Sequence, residues 1–223
     1  MVTVAFVLDL SHNWLGGVNY YRNLLTAISR YESNSVRIKV FLPKGQEADA
    51  FHDLSKNIEF IPVSFPARWT FSWFIRKMWM KIFHQDMFLA HHLRRYGVNV
   101  LSHIQSSVWC PGVKNIAWIP DFQHKYLPEF FSKKELSSRD AEFERMAACM
   151  DKVILSSETA KDDFIKYYPQ YKEKACVLRF APVLDFDSPK QVNLVEAKYG
   201  IAGKYFFLPN QYWKHKNHKR LFF

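Results

Sequence analysis

The sequence contains little cysteine and little glycine for its length. Of its 223 residues, three are Cys and seven are Gly. An odd number of scattered cysteines argues against a disulfide scaffold or a zinc knuckle and is typical of a reducing compartment. The sequence also lacks an apolar run of about 18 residues and a basic segment ahead of its first apolar stretch. We therefore expect a cytoplasmic protein with no membrane-spanning helix and no signal peptide.

Acidic residues are absent from two segments of an otherwise balanced chain. The formal net charge is +10, and residues 68–83 and 212–223 each contain four Lys or Arg residues and no Asp or Glu. These segments hold most of the net charge, which favours two separate anionic partners over a uniformly cationic surface. The alternative is ordinary solvated surface charge, which competes more strongly for the first segment than for the second.

Short apolar segments alternate with helical patterns along the chain. The apolar segments are Val2–Leu8, Val36–Leu42, Ile58–Val63, Val98–His103, Val113–Ile119, Lys152–Leu155 and Ala175–Phe180. Such alternation predicts a doubly wound parallel sheet of the Rossmann-like α/β class, with helices on both faces. The following stretch, Phe180–Pro189, has two prolines and no periodicity, which indicates a linker.

The pattern after the linker predicts the beginning of a second domain. We expect a helix at Val192–Tyr199, a strand at Tyr205–Leu208 and a helix that starts at Lys216, close to the last residue. A helix of one or two turns is not stable alone, so the chain is predicted to be part of a longer protein. The predicted division is an acceptor domain over residues 1–182, a linker and helix over 183–204, and a truncated donor-binding domain over 205–223.

Glycine and serine pairs follow two of the predicted strands. Gly16 and Gly17 precede a helical pattern, where glycine lets the backbone approach an anion at a helix N-terminus. They do not complete a dinucleotide-binding fingerprint, and a plain tight turn is the alternative. Ser156 and Ser157 join a later strand to a helix, and helix capping alone is the favoured interpretation there.

Asp121 and His124 follow the predicted strand that ends at Ile119. Open α/β sheets bind ligands beyond the carboxyl ends of their strands. A carboxylate beside an imidazole can orient a hydroxyl or move a proton near neutral pH, so both residues are candidate catalytic residues. The alternative is a loop in which the two side chains only satisfy backbone groups.

A basic loop follows the predicted strand at Tyr205–Leu208. It places Lys214 and Lys216 at the expected start of a helix, where positive charge is unfavourable unless an anion is bound. A bound diphosphate would turn this arrangement into a binding pocket. The segment therefore predicts a phosphate-binding loop.

These segments, in this order, resemble glycosyltransferase family 4, whose members have the GT-B fold and retain the anomeric configuration. The likeness is strongest in the loop Pro209-Asn-Gln-Tyr-Trp-Lys-His-Lys-Asn-His218. In the commoner family pattern an Arg and, five residues later, a Lys before a Gly grip the diphosphate of a nucleotide sugar. The resemblance implies that Lys216 takes the Lys position, with Gln211 in the Arg position and Asn217 in the Gly position.

The resemblance also implies a function. We expect a hexosyltransferase-type enzyme that moves a sugar from a nucleotide-diphosphate donor to an acceptor hydroxyl of a glycan or lipid-linked molecule in a bacterial envelope. Family members of this kind need no catalytic metal, so we expect no cofactor. Lys216, Gln211 and Lys214 would contact the donor diphosphate, and the Gly16–Gly17 loop would lie on the acceptor side. The 223 residues alone are expected to be inactive.

Two other classes of function stay open. A non-catalytic module that keeps the fold and binds a sugar or nucleotide is one. A nucleic-acid-binding domain is the weaker one, because the sequence has no RRM, KH, zinc-finger or helix-turn-helix signature and its positive charge lies in two patches.

Residues 69–95 predict one long helix with two apolar faces. One face is assigned to the domain core and carries Phe71, Phe74, Ile75, Met78, Ile82 and Leu89. The opposite side is predicted to lie on an anionic membrane surface, so that the protein would be peripheral on the inner face of the cell membrane. Its candidate interface residues are Trp69, Trp73, Arg76, Lys77 and Lys81. Packing on another part of a longer protein, or lining the acceptor cleft, is the alternative.

Overall fold

Seven parallel strands form one sheet, as the alternation of apolar and helical segments predicts. In this computed structural model the strands are β1 (Val2–Val7), β2 (Val36–Pro43), β3 (Ile58–Val63), β4 (Val100–Ile104), β5 (Lys114–Ile119), β6 (Lys152–Leu155) and β7 (Ala175–Val177). Every neighbouring pair is parallel, and the spatial order is β3-β2-β1-β4-β5-β6-β7. The chain reverses its direction of travel between β1 and β4, so the doubly wound fold is confirmed and its switch point lies there.

The structure describes residues 1–8, 15–32, 35–45, 51, 54, 58–180, 182, 192–201, 204–206, 208, 212 and 216–221. The chain divides into two units, Met1–Val183 and Leu184–Phe223. The described residues of the first unit form the seven strands and six α-helices: α1 (Leu15–Tyr31), α2 (Phe71–Phe83), α3 (Met87–Arg95), α4 (Gln123–Tyr126), α5 (Lys133–Cys149) and α6 (Glu158–Tyr167).

The second unit contains α7 (Val192–Tyr199), at the position predicted from the sequence. Residues 205, 206 and 208, which belong to a predicted strand, are described and do not lie in one. The 3₁₀ turn His218–Leu221 occupies the place of the predicted C-terminal helix. The assignment of this unit to a donor-binding domain stays a prediction.

Apolar side chains cover both faces of the sheet. On one face α1 packs on β1 and β2, where Phe6, Leu25 and Val40 are buried together. On the other face α3 brings Leu93 against Phe41, while α5 and α6 cover β5 and β6. Strands buried on both faces have continuous apolar runs, which explains why these segments were recognisable in the sequence.

The prediction of one helix over residues 69–95 is wrong. His84 adopts a left-handed conformation with φ 52° and ends α2, and its backbone N–H donates to the Met80 carbonyl. Asp86 then caps a new helix, because its Oδ1 accepts the Leu89 N–H at 3.0 Å. Two backbone bonds to Trp109, from Trp109 N–H to the His84 carbonyl and from Asp86 N–H to the Trp109 carbonyl, fix the break between α2 and α3.

The assignment of a core face to α2 is also wrong. No residue of α2 is buried. The predicted core residues Phe71, Phe74, Ile75, Met78 and Ile82 are all exposed, and only Leu89, which belongs to α3, is buried. The half-buried residues of α2 are Trp73, Arg76 and Met80. The side of α2 expected to point outward is therefore the side that contacts the rest of the first unit.

Within the described parts of the chain, no helix combines the length and the apolar composition that a membrane span requires.

Candidate functional site

A cavity of about 450 Å³ lies at the switch point, beyond the carboxyl ends of β1 and β4. Strand β1 contributes Val7 and Leu8 to its wall, and α1 contributes Tyr21. The end of β4 contributes His103 and Gln105. Doubly wound sheets bind ligands at this place, because the two neighbouring connections leave in opposite directions and open a crevice.

His103 is held in the cavity wall by an irregularity of β4. The register between β4 and β5 shifts between Leu101 and Ile104, and His103 lies in this bulge with a left-handed φ of 62°. Positive φ is uncommon outside glycine, and strained backbone of this kind concentrates at functional sites. The bulge turns the imidazole toward α1, where its Nε2 lies 2.7 Å from the Tyr20 hydroxyl. Its Nδ1 lies 2.8 Å from the Ser102 hydroxyl, so both ring nitrogens are hydrogen bonded.

Aromatic rings surround this imidazole. Tyr20 stacks on Trp118 of β5, with ring centroids 4.4 Å apart and an angle of 11° between the planes. Phe180 meets Tyr20 edge to face at 5.1 Å. The indole N–H of Trp118 donates to the Ser156 hydroxyl at 3.1 Å. The rings are thereby fixed by contacts from four separate segments of the first unit.

His103, Tyr20 and Tyr21 are uncharged at physiological pH. Burial lowers the pKa of His103 to about 3, so its imidazole is uncharged. Burial also raises the pKa of Tyr20, with a smaller contribution from Tyr21, and raises that of Tyr21 to about 12. Arg76 and Asp86 also line the cavity, and their opposite charges form an ion pair. Uncharged hydrogen-bonding groups beside flat aromatic rings suit a neutral, polyhydroxylated ligand better than an ionic one.

The structure separates the two residues that the sequence assigned to catalysis. Asp121 is exposed just beyond β5, and its Oδ1 accepts the Gln123 N–H at 2.9 Å. His124 is buried, with 1% of its surface exposed, and its Nε2 lies 2.9 Å from Oδ1 of Asp140 on α5. Burial lowers the pKa of His124, although Asp140 opposes the effect. The carboxylate beside His124 is therefore that of Asp140.

The surroundings of His124 are aromatic. Phe122 and Phe143 pack around the ring at centroid distances of 6.3 Å and 5.3 Å. Its Nδ1 is buried and has no hydrogen-bond partner among the described residues. This environment fixes the loop that carries Asp121, so the geometry suits His124 to positioning rather than to direct contact with a ligand.

Gly16 and Gly17 lie in the first turn of α1. Gly17 is buried and Gly16 is exposed. A methyl group added at Gly16 would meet no atom within 4 Å, so no close approach demands glycine there. Both residues lie at the end of α1 that follows β1, on the switch-point side of the sheet.

The described part of the basic loop includes Lys216 and Asn217. Lys216 is exposed, and Asn217 after it is left-handed with φ 50°. This conformation favours glycine and is tolerated by asparagine. The assignment of these residues to a donor diphosphate stays a prediction. Gln211 and Lys214 lie outside the described residues.

The predicted membrane-interface residues do not share one environment. Trp69, Lys77 and Lys81 are exposed, while Trp73 is half-buried. The side chain of Arg76 is 19% exposed and binds Asp86, so its charge faces the protein rather than the solvent.

Sequence reasoning missed His103, Tyr20 and Trp118 as site residues. His103 stood at the end of a predicted strand, which is a recognisable signal in an α/β fold. His103 contacts Tyr20, which is 83 residues away in the chain, because strand β4 lies beside strand β1. No local sequence motif predicts that these two strands are neighbours. Among the described residues, no group of three or more His, Cys, Asp or Glu side chains is arranged to hold a metal ion.

No protein-family model and no curated protein sequence matches the chain. The fold does match solved structures. One is Anabaena Alr3699/HepE in complex with UDP-glucose, at a TM-score of 0.52 and 13% sequence identity, covering 90% of this chain and 50% of that one. Two structures of Arabidopsis thaliana UGT89C1 match more weakly, each at 12% identity over 88% of this chain. The TM-score is 0.45 for the complex with UDP and 0.47 for the other structure.

This chain thus spans about half the length of the structures that it matches. At 13% identity the likeness to HepE concerns the fold alone. The chain has a Rossmann-like α/β fold, and it shares this fold with about half of the HepE chain.

Proposed function

We propose that this chain is the acceptor-side half of a glycosyltransferase that moves a sugar from a nucleotide-diphosphate donor to an acceptor hydroxyl. The observation that carries the proposal is the neutral site of His103, Tyr20 and Trp118 at the switch point of a GT-B-type sheet. The matching HepE structure contains UDP-glucose, which supports a nucleotide sugar as the donor class. By its resemblance to family 4, the enzyme retains the anomeric configuration, transfers a hexose-type sugar and needs no metal.

The residues divide between two roles in this proposal. His103 lines the cavity and positions the Tyr20 and Ser102 hydroxyls, to which its two ring nitrogens are hydrogen bonded. The stacked rings of Tyr20 and Trp118 pack beside the imidazole and hold it in place. Asp121, exposed beyond β5, is the candidate acid–base group, and His124 positions its loop through Asp140. The Gly16–Gly17 turn lies beside the acceptor.

The donor diphosphate is proposed to bind at the basic loop. Lys216 is the principal contact, supported by the left-handed Asn217 that follows it, with Gln211 and Lys214 as further contacts. The acceptor is proposed to be a glycan or lipid-linked molecule of a bacterial envelope, used on the cytoplasmic side of the membrane. Transfer then requires a complete donor-binding domain in addition to these residues.

The test is release of UDP or GDP, with transfer of radiolabelled sugar, by a protein that joins this chain to a complete donor-binding domain. We expect release by the wild type and a loss of about 100-fold for His103→Ala, because the variant loses the group that positions the Tyr20 and Ser102 hydroxyls at the switch point. His91→Ala, on the exposed side of α3, is the matched control and should keep full activity. Binding of oligonucleotides without release of either nucleotide would contradict the proposal. Sugar transfer by the 223 residues alone would contradict its two-domain part.

A further inference from the structure

Helix α2 exposes the apolar stripe that a helix of a globular protein normally buries. Phe71 is 80% exposed and Ile82 is 60% exposed, and the residues between them on the same side of the helix are exposed as well. Their spacing of three and four residues is that of a core-facing helix. Single exposed apolar side chains are normal on a protein surface, but a contiguous row of them marks an interaction site.

The apolar surface continues beyond α2. Trp79, 41% exposed, packs on Phe83 with ring centroids 4.4 Å apart. Ile75, Trp79 and Met87 also line a groove of about 690 Å³ between α2 and the start of α3. The exposed surface is therefore a band with a shallow groove along one side. We call it the α2 band, and it consists of Phe71, Phe74, Ile75, Met78, Trp79, Ile82 and Phe83.

The charge beside the α2 band has one sign. Residues 60–85 contain no Asp or Glu. Lys77 and Lys81 are exposed on α2, and no carboxylate among the described residues pairs with either. Arg68, exposed just before the helix, lies 5.1 Å from the ring of Trp69. A partner that covers this band must therefore be anionic as well as apolar.

The helix is held in place from its other side. The Thr70 hydroxyl caps its first turn by accepting the Trp73 N–H at 3.2 Å. Arg76 binds Asp86 through two nitrogens, one of them Nε at 3.1 Å from Oδ1, and its guanidinium lies 4.7 Å from the centre of the Phe65 ring. These contacts fix α2 without using the apolar band, so the band stays available to a partner.

We propose that the α2 band lies on the surface of an anionic lipid bilayer. The apolar side chains enter the boundary between head groups and acyl chains, at a depth of about 5–10 Å, as amphipathic interfacial helices do. Trp69 and Trp79 lie at head-group level, where indole rings concentrate. Lys77 and Lys81 bind the lipid phosphates. This binding is independent of sugar transfer.

A second copy of this chain fits the band less well than lipid does. A symmetric dimer formed through α2 would bring the same surface of both copies together. Lys77 and Lys81 of each copy would then face a surface to which α2 contributes two lysines and no carboxylate. A bilayer also needs no complementary shape, which suits the long, protruding side chains of this band.

The experiment is co-sedimentation of the 223-residue chain with vesicles of phosphatidylcholine alone and of phosphatidylcholine with phosphatidylglycerol. We expect binding to the anionic vesicles and release as salt rises, because exposed charges are screened over about 8 Å at physiological ionic strength. Each lysine near such a surface strengthens partitioning about fivefold, so Lys77→Glu/Lys81→Glu should weaken it by at least about 25-fold. Lys133→Glu/Lys134→Glu makes the same charge change at exposed positions of α5 and should bind nearly as the wild type.

A second pair of variants separates membrane contact from charge alone. Phe74→Ser/Ile82→Ser keeps every lysine and should also lose vesicle binding, while its circular dichroism spectrum stays that of the wild type because both residues are exposed. Equal binding to neutral and anionic vesicles would overturn the proposal, and so would no binding to either. A chain that is dimeric in sedimentation velocity and becomes monomeric in Phe74→Ser/Ile82→Ser would instead assign the band to a second copy.

Discussion

Arg76 and Asp86 join α2 to α3 across the sharp break at His84. The Asp86 side chain is buried, with 5% of its surface exposed, and it accepts hydrogen bonds from both the guanidinium and the N–H of Leu89. The same guanidinium lies 5.2 Å from the centre of the Phe88 ring. One ion pair thus ties α2 to α3 across the break, and both of its residues line the switch-point cavity.

Asp86→Ala should be the most destabilising substitution in this region. It removes the cap of α3 and leaves Arg76, 19% exposed, without its carboxylate. Breaking a buried ion pair by deleting one partner costs about 3–5 kcal/mol in the free energy of unfolding. Urea denaturation provides the measurement. Thr70→Ala, which removes only an exposed cap, should cost about 0.5–2 kcal/mol, and an equal loss in the two variants would show that the ion pair contributes little.

Phe74→Ala should leave stability almost unchanged, in contrast to Leu93→Ala. Phe74 is 56% exposed on α2, and exposed positions change the free energy of unfolding by about 0.5 kcal/mol or less. Leu93 is fully buried on α3, and truncation of a buried leucine costs about 2–5 kcal/mol. Urea denaturation of both variants measures the difference. A large decrease in the free energy of unfolding for Phe74→Ala would instead show that the Phe74 side chain is buried in the core.

The sheet could be predicted from the sequence because parallel strands buried on both faces are continuous apolar runs. Strands β3 and β6 begin and end as predicted, and each of the other strands differs from its prediction by one to three residues at one end or both. Helical periodicity in α2 was informative in a narrower sense. It identified which residues share a face of the helix, but the environment of each face depends on how α2 is attached. The Arg76–Asp86 pair attaches α2 by the side that carries Trp73, Arg76 and Met80. The periodicity of apolar residues does not predict such an ion pair.

Only those parts of the candidate site whose residues are close together in the sequence could be predicted from it. Lys216 and Asn217 are neighbours in the chain, so a local pattern could single them out, and their role at a diphosphate stays a prediction. Asp121 and His124 are only three residues apart, yet their environments differ. Asp121 is exposed ahead of the four-residue helix α4, whereas His124 lies within it, is buried and contacts Asp140. The His103–Tyr20 contact joins β4 to α1, so it requires the strand order to be known.

Lys216→Ala should impair the use of the nucleotide sugar in a protein that includes the complete donor-binding domain. Charge builds on the leaving diphosphate in the transition state, and a charged hydrogen bond to it is worth about 1.5–3 kcal/mol. The ratio kcat/KM should therefore fall about 10- to 150-fold in steady-state kinetics. Lys219→Ala removes an exposed lysine of the adjacent 3₁₀ turn and is the matched control. Equal losses in both variants would indicate a diffuse effect of charge rather than a specific contact at Lys216.

His103 should make the fold sensitive to acid. Its pKa is about 3 in the folded chain and about 6.5 when unfolded, so between these values the unfolded chain binds a proton that the folded chain excludes. Stability therefore falls as pH decreases through this window, by up to about 1.4 kcal/mol per pH unit from this group. The groups that face the ring, Tyr20, Tyr21 and Ser102, do not ionise in the window.

His103→Gln keeps a hydrogen-bonding side chain and removes this titration. The free energy of unfolding, measured by urea denaturation at about pH 7 and about pH 4.5, should decrease less in His103→Gln than in the wild type. Asp140, Glu142 and Asp151, whose pKa values are lowered by their hydrogen-bond partners against the opposing effect of burial, also reduce stability in acid. Their contribution is the same in both proteins and cancels in the comparison. His91→Gln, at an exposed position of α3, should keep the wild-type dependence. If His103→Gln lost stability toward acid as steeply as the wild type, His103 would have to be accessible to protons in the folded chain, and the neutral site at the switch point would be excluded.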